Sequence, residues 1–204
     1  MDAELVSLLS DIAIGVAAVV VATVSVFGLR TWRKELTGKA KFNVARNVML
    51  LAFKLKADFQ WATNLMTSSG EFVDRPHGEN EAPGESRVLD EWYARQRRLQ
   101  PLVEDLQKLQ TAGWEDEILL GEDSGKSVSE AIGIFGHNYA ELATAIESYF
   151  EETYKEVRGT SENIDQGWLK GLRKTIYSIP GRGLLKQIDE ATAQLASTLK
   201  AYIK

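Results

Sequence analysis

The sequence predicts an all-α protein in which one N-terminal transmembrane helix precedes a bundle of about five helices. Residues 12–29 form an uncharged run of 18 residues, and the apolar residues after it recur three and four positions apart. No segment alternates apolar and polar residues with the period of two that strands show. A chain of 204 residues with 44% hydrophobic and 26% charged residues matches one folded domain with an appendage.

The uncharged run, residues 12–29, is apolar on all sides of a helix. At about 1.5 Å per residue it spans roughly 27 Å, close to the ~30 Å hydrocarbon core of a bilayer. A buried core helix is one alternative, but it would carry a single apolar stripe. A cleaved signal peptide is another, but the acidic start lacks a positive region and no small-residue cleavage site follows the run.

Basic residues are distributed unequally on the two sides of this run. Residues 1–11 contain no Lys or Arg, whereas residues 30–46 contain six. The positive-inside rule therefore predicts an outside N-terminus at 1–11, a single transmembrane helix at 12–29 and a cytoplasmic helical bundle at 30–204. Trp32 is placed as an interfacial aromatic residue.

Five of these cations form a segment that we call the basic collar: Arg30, Arg33, Lys34, Lys39 and Lys41. The collar can attract anionic lipid headgroups, at roughly 1 kcal/mol per basic residue near the surface. The alternative is that it only sets the topology. The chain as a whole has a net charge of −5, so acidic residues predominate beyond the collar, and no specific nucleic-acid partner is predicted.

The bundle helices follow in order. Gly38 is expected to interrupt the first helix, and a second is predicted over 39–66, where apolar residues recur: Val48, Leu51, Leu55, Phe59, Ala62 and Met66. Residues 67–86 contain three Gly, two Pro and three Ser and predict a long loop. Ser86 is expected to cap a third helix that ends at Leu120-Gly121, with a kink or a break at Pro101.

The last three helices are indicated by capping residues and spacing. A capping box, Ser127-x-x-Glu130, predicts the start of the fourth helix, and Gly159 predicts its end. Its inner seam is formed by Ile132, Phe135, Tyr139, Leu142, Ile146 and Tyr149. A fifth helix is expected over 164–178. After a break at 178–183, the last helix carries Leu184, Ile188, Leu195, Leu199 and Tyr202.

No constellation of residues predicts catalysis, and neither a cofactor nor a metal ligand set is predicted. The chain contains no Cys and only two His. The stretch 121–127 is one residue short of a phosphate-binding loop, and no strand precedes it. His137 falls at an outward position of the fourth helix, and His77 lies in the long loop without an identifiable partner, so both are expected to be surface residues.

Small residues recur along one side of the predicted transmembrane helix: Gly15, Ala18, Ala22 and Ser25. Such spacing lets two helix backbones approach closely in lipid, where contact depends on packing rather than on a hydrophobic driving force. Small residues are also common in membrane helices in general. The spacing nonetheless predicts a homo-oligomer that packs through this helix.

Short motifs resemble a recurrent pattern in uncharacterised bacterial membrane proteins. The stretch Thr31-Trp-Arg-Lys-Glu-Leu-Thr-Gly-Lys39, followed by Phe42-x-x-Ala-Arg46, is similar to their Trp-Lys-Lys-x-Leu-x-Gly-Lys junction between one membrane helix and a helical cytoplasmic domain. Arg98-Leu-Gln-Pro-Leu102 and Leu119-Leu-Gly121 resemble two further landmarks. The resemblance covers nearly the whole chain, and it implies a single-pass protein of the bacterial inner membrane.

The layout is also similar to the membrane accessory protein of type VI-B CRISPR systems, which has a HEPN-like cytoplasmic domain. HEPN ribonucleases carry Arg-x(4–6)-His. In this chain, no Arg stands five to seven positions before His77 or His137. The resemblance therefore implies an oligomeric membrane protein of antiviral defence whose nuclease motif is missing.

Three functions are compatible with these features. The leading hypothesis is a non-enzymatic inner-membrane protein that binds membrane lipids and acts by self-association or by recruiting a cytoplasmic protein partner, as an accessory or effector of antiviral defence. The second is a membrane-tethered divergent HEPN-like ribonuclease that uses His77 or His137. The third is a scaffold or sensor whose loop at 67–86 binds a partner.

Overall fold

The structure, a computed structural model, describes the backbone of residues 3–160 and 165–203 and the side chains from residue 14 onwards within these ranges. The described residues form five α-helices, one 3₁₀ helix at Ser69–Glu71 and no strand, which confirms the all-α prediction. The helices are α1 (Ala3–Ala62), α2 (Pro83–Leu120), α3 (Glu122–Val157), α4 (Gln166–Ile176) and α5 (Gly183–Leu199). Residues 1–43 and 44–204 form two separate units.

The first helix is longer than predicted. Gly38 does not interrupt it, since α1 is continuous from Ala3 to Ala62. A glycine within a helix costs only about 1 kcal/mol, and the neighbouring Leu36, Lys39 and Ala40 favour helix. The prediction of a separate helix that begins at residue 39 is therefore wrong, although the bundle segment from residue 44 onwards follows the predicted apolar spacing.

The core of the second unit is built from residues 44–62 of α1 together with α2, α3, α5 and Ile176 of α4. Within α1, the predicted positions Val48, Leu55, Phe59 and Ala62 are buried. The Phe59 ring stacks on that of Phe135 from α3, with 6.4 Å between the ring centroids. Met66 is 80% exposed because α1 ends four residues earlier.

Helix α2, which corresponds to the predicted third helix, begins four residues earlier than predicted. Pro83 lies in its first turn, where the missing N–H of proline costs nothing, and Glu85 accepts a hydrogen bond from the Ala82 N–H at 3.0 Å. Ser86 is therefore inside α2 and does not cap it. Pro101 also lies inside α2 and does not divide it, because buried residues on both sides of it, Leu99 and Leu102, pack the helix against the core.

Helix α3, which corresponds to the predicted fourth helix, begins at Glu122, so the predicted capping box at Ser127 is wrong. Gly121 adopts a φ of +104°, which joins the end of α2 directly to the start of α3. Glu122 and Asp123 then place negative charge in the first turn, where the helix dipole favours it. Ser127 lies one turn further on, and its Oγ is 3.1 Å from Thr198 Oγ1 of α5.

The remaining predicted features of α3 are confirmed. Phe135, Leu142 and Ile146 are buried, and α3 ends at Val157, just before Gly159 with a φ of +68°.

The last two helices lie where the sequence places them. Asp165 caps α4, and its Oδ1 accepts hydrogen bonds from the N–H groups of Gly167 (2.8 Å) and Trp168 (3.2 Å). The predicted start of this helix at residue 164 falls outside the described residues. The break between α4 and α5 is present, and Gly181 adopts a φ of +77° within it.

Candidate functional site

One helix within the described residues is long and apolar enough to cross a membrane. An 18-residue window within residues 14–62 has a mean hydropathy of 1.9, and none of it is buried. The core helix of a soluble protein would be mostly buried, so the exposure of this window favours the membrane-spanning alternative. The exposed side chains include Ile14, Val19, Val24 and Phe27.

The two hydroxyl groups within residues 12–29 are hydrogen-bonded to the backbone of α1. Thr23 Oγ1 donates to the carbonyl of Val19, and Ser25 Oγ donates to the carbonyl of Val21, both at 2.7 Å. Because these hydroxyls need no water, they can face hydrocarbon or a second helix at little cost.

The small residues Gly15, Ala18, Ala22 and Ser25 are all exposed. A Cβ atom built on Gly15 would meet nothing within 4 Å. Packing within one described chain therefore does not explain why a glycine stands there.

The basic collar follows directly along the same helix. Arg30, Arg33, Lys34 and Lys39 are exposed, and Lys41 is half-buried. Among the described residues, no carboxylate lies within 4.0 Å of any collar cation. The exposed Trp32 stands between Thr31 and Arg33, so this stretch combines uncompensated positive charge with an interfacial aromatic side chain.

The two histidines occupy different surroundings. His137 is exposed on α3. His77 is also exposed, and its Nδ1 lies 2.8 Å from Arg75 Nη2 and 3.7 Å from Glu81 Oε2. Since the Arg75 guanidinium is already bound by carboxylates, it is not free to hold a phosphate beside His77. In the part of the chain that the structure describes, no three His, Cys, Asp or Glu side chains are arranged to hold a metal ion.

Buried arginines at the distal end of α1 are the most distinctive polar feature of the bundle. Arg95 and Arg98 of α2 are both at most 1% exposed. They donate to backbone carbonyls at and beyond the end of α1, where a helix leaves four carbonyls without intrahelical partners: those of Trp61, Ala62, Asn64, Leu65 and Met66. The two guanidinium groups therefore supply the hydrogen-bond donors that a further turn of α1 would have supplied.

Arg98 also anchors the loop that follows α1. Its Nε and Nη2 donate to the Glu71 carboxylate at 2.6 and 2.8 Å, and its guanidinium lies 5.0 Å from the centre of the Trp61 ring. The hydrogen bonds from Arg98 hold the pKa of Glu71 below its usual range.

A third buried arginine closes the same loop. Arg75 binds Glu81 and Asp90, both at 2.6 Å. These hydrogen bonds lower the pKa of Glu81 to about 2. The loop runs over residues 63–82, four residues earlier than the predicted 67–86, and the arginines fix it to α2.

Two further groups of carboxylates lie between the helices. Asp105 of α2, 1% exposed, binds Lys54 and Lys108. Burial acts to raise the pKa of Asp105, but the hydrogen bonds from Lys54 and Lys108 outweigh it and lower that pKa. Asp58 lies nearby, and burial and the Asp105 carboxylate raise its pKa.

Asp116 of α2 is fully buried, and within the described residues neither of its carboxylate oxygens has a hydrogen-bond partner. Burial raises the pKa of Asp116. The buried hydroxyl of Ser124 on α3 is likewise unpaired among the described side chains. Burial, rather than a neighbouring polar group, destabilises the ionised form of Asp116.

A groove of about 480 Å³ lies beside the arginine cluster, lined by Thr63, Asn64, Tyr177 and Ile179 among others. The Thr63 hydroxyl donates to the carbonyl of Phe59, and the Tyr177 hydroxyl donates to Glu91 at 2.6 Å. Burial, followed by this hydrogen bond, raises the pKa of Tyr177. The Tyr177 hydroxyl has Glu91 as an acceptor, but its raised pKa disfavours the phenolate that would act as a nucleophile.

The arginine cluster could have been found in the sequence by asking which polar residues share the helix face of the apolar ones. Arg95 and Arg98 stand four residues before Leu99 and Leu102, so a helical arrangement places both cations on the apolar inner stripe of α2. A cation on such a stripe indicates a buried partner, which is here the end of α1.

Comparison with known proteins gives no relative: no family model matches this chain, and no curated protein or solved structure is significantly similar to it.

Proposed function

We propose that the chain is a non-enzymatic, single-pass protein of the bacterial inner membrane that acts by self-association or by recruiting a cytoplasmic partner. The observation that carries this proposal is the exposed, uncharged segment of α1 followed at once by the basic collar. In this arrangement residues 12–29 span the bilayer, the collar meets anionic lipid headgroups, and residues 44–204 form a cytoplasmic bundle.

The polar groups of the bundle support a structural rather than a catalytic role. Arg75 and Arg98 are bound by carboxylates, and the two terminal nitrogens of Arg95 are bound by backbone carbonyls. Both histidines are exposed, and the Arg75 side chain beside His77 is bound to Glu81 and Asp90. These contacts favour an adaptor or effector over a ribonuclease that uses His77 or His137.

A role as an accessory or effector of antiviral defence is the narrower form of the proposal. It derives from the layout of one membrane helix, a basic junction and a helical domain. The membrane anchor would concentrate copies of the bundle at the inner membrane, where association is favoured by a high local concentration.

Carbonate extraction and crosslinking of membranes from cells that express the full chain test the general proposal. We expect the protein to remain in the membrane pellet after carbonate treatment and to form oligomers with a lysine-reactive crosslinker. Release into the supernatant would exclude the membrane anchor. A retained protein that crosslinks neither to itself nor to another protein would exclude function by association.

RNA cleavage separates the two leading functions. The purified full chain in detergent is expected to leave a mixed RNA substrate intact. Cleavage that is lost in a His77→Ala, His137→Ala double variant would replace the proposed function by the ribonuclease alternative.

A further inference from the structure

The part of α1 that belongs to the bundle has two faces. One face is buried and includes Val48, Leu55 and Phe59. On the opposite side, large apolar residues are left exposed: Leu50 is 52% exposed, Phe53 51% and Trp61 46%. Together with the exposed Ala57 they form what we call the outer face of α1: Leu50, Phe53, Ala57 and Trp61.

The spacing of the outer face belongs to a longer pattern in the sequence. Counted in heptads from Gly15, the a positions are residues 15, 22, 29, 36, 43, 50 and 57, and the d positions are 18, 25, 32, 39, 46, 53 and 60. The four small residues of the span therefore fall on the same seam as Leu50, Phe53 and Ala57. The helix is unbroken over all of these positions, and a repeat of 3.5 residues is that of a coiled coil.

We propose that the outer face of α1 packs against the outer face of a second copy of this chain, in a parallel and in-register arrangement. The inference rests on the proposed function, because the membrane span is what makes copies parallel and sets them at the same height. In such a pair each seam residue meets its own counterpart. Leu50, Phe53 and Ala57 suit that contact, since apolar side chains can pair with themselves without charge repulsion.

Residues between the two apolar parts of the seam bear on its specificity. Asn43 occupies an a position, where a pair of asparagines favours a parallel, in-register dimer at some cost in stability. Lys39 and Arg46 occupy d positions and would meet their counterparts as like charges. Their long side chains can turn outward toward anionic headgroups and solvent, so contact concentrates in the span and at the outer face.

The charges beside the outer face are consistent with a second copy of the chain as its partner. Lys54 lies next to Phe53 in sequence, but its ammonium group is bound by Asp105 and lies 3.7 Å from Asp58. The cation is therefore compensated within its own chain and does not repel the same residue of a second copy at full strength.

Single-cysteine crosslinking in native membranes tests this interface directly, because the chain contains no cysteine of its own. The variants are Leu50→Cys, Phe53→Cys and Ala57→Cys on the outer face, with Gln107→Cys and Glu190→Cys as exposed controls on α2 and α5. Disulfides form only between Cα atoms within about 7 Å, so we expect dimers at the outer face to form roughly tenfold faster than at the controls.

Ala18→Cys in the span separates the failure of this inference from that of the proposed function. Crosslinking at residue 18 with only the control rate at 50, 53 and 57 would overturn the outer-face interface and leave self-association through the span intact. No dimer at any position would overturn both the outer-face interface and self-association through the span. A crosslinked product of another mass at residue 57 would assign the outer face to a different protein.

A charge substitution gives a second readout that does not depend on a thiol at the contact. Phe53→Glu in the Ala57→Cys background is expected to abolish the dimer, because two carboxylates would meet in the seam. Ile118→Glu in the same background is the matched control, since Ile118 is an equally apolar side chain, 81% exposed, on α2. Equal loss of dimer in both variants would contradict the assignment.

Discussion

Arg98 illustrates at the scale of single residues how a buried cation can be stable in this bundle. Its guanidinium is 1% exposed and is fully used by backbone carbonyls and by the Glu71 carboxylate. Removing a charge from water costs several kcal/mol, and only a complete set of partners offsets that cost. Arg98 therefore fixes both the end of α1 and the loop after it.

We expect Arg98→Met to lower the free energy of unfolding by about 3–5 kcal/mol, because it leaves Glu71 and several carbonyls without their buried partner. Thermal unfolding of the full chain in mild detergent, followed by circular dichroism, measures this. The control is Arg97→Met. The guanidinium of Arg97 is exposed and lies 3.5 Å from Asp74, so the expected loss is below about 1 kcal/mol. Equal losses in the two variants would contradict the structural role of Arg98.

Asp116 gives a pH-dependent prediction. Since burial raises its pKa in the folded state, folding favours the protonated form, and the wild-type chain loses stability as pH rises through the window between the unfolded and folded pKa values. Asp116→Asn has no such charge, so the difference in unfolding free energy between this variant and wild type should favour the variant more at pH 8 than at pH 4. Glu141→Gln, at an exposed position of α3, should show no comparable trend. A constant difference at both pH values would refute the prediction.

His137 tests the enzyme alternative at the residue scale. Its side chain is exposed on α3, so His137→Ala should change the unfolding free energy by less than about 0.5 kcal/mol and leave biological activity intact. Activity in cells at matched protein levels is the measurement. A complete loss of activity would promote the catalytic hypothesis.

Residue burial was predictable where it followed helical spacing and was missed where it depended on partners distant in sequence. Phe59, Phe135 and Leu142 were expected in the core from their spacing, and they are buried. Arg95 was not expected there, because its partners are carbonyls of residues 30 to 33 positions earlier. Spacing reveals which side of a helix faces inward, but not which polar groups from elsewhere meet it.

At the scale of elements, α1 combines the predicted span, the collar and the first bundle helix in one continuous helix. Its small residues provide the prediction at this scale. Replacing Ala18 and Ala22 with Leu should weaken oligomer formation in native membranes, because bulkier side chains keep two backbones apart. Crosslinking yield is the measurement, and Val16→Leu with Val20→Leu is the volume control on other parts of the helix.

Insertion should be unchanged in both pairs of variants, since leucine is at least as apolar as alanine. Full crosslinking in the Ala18→Leu, Ala22→Leu variant would exclude the small residues as the contact.

Helix ends were the least predictable elements, for identifiable reasons. Ser127 matched a capping motif but lies inside α3, because the positive φ of Gly121 and the acidic first turn start the helix earlier. Gly38 suggested a break that better helix formers around it prevent. Gly159, in contrast, acts where the sequence indicated, since its positive φ has a local backbone role that needs no distant partner.

At the scale of the whole molecule, the fold class follows from two sequence patterns. One is the uncharged run, and the other is the recurrence of apolar residues three and four positions apart. Both depend on many residues, so misplacing one helix end does not alter them. The candidate site is a different matter. The span, the collar and the small residues were evident from composition, whereas the arginine-fixed loop at 63–82 became evident only once α2 was seen to pack against the end of α1.

The proposed function requires that residues 12–29 cross the inner membrane once and leave the bundle in the cytoplasm. The most direct test fuses two reporters after Lys204: a fluorescent protein that matures only in the cytoplasm and an alkaline phosphatase that is active only in the periplasm. We expect fluorescent membranes and no phosphatase activity. Replacing Arg30, Arg33 and Lys34 with Glu should shift part of the population to the opposite orientation, because the positive charges set it. Phosphatase activity without fluorescence in the wild-type fusion would contradict a cytoplasmic bundle.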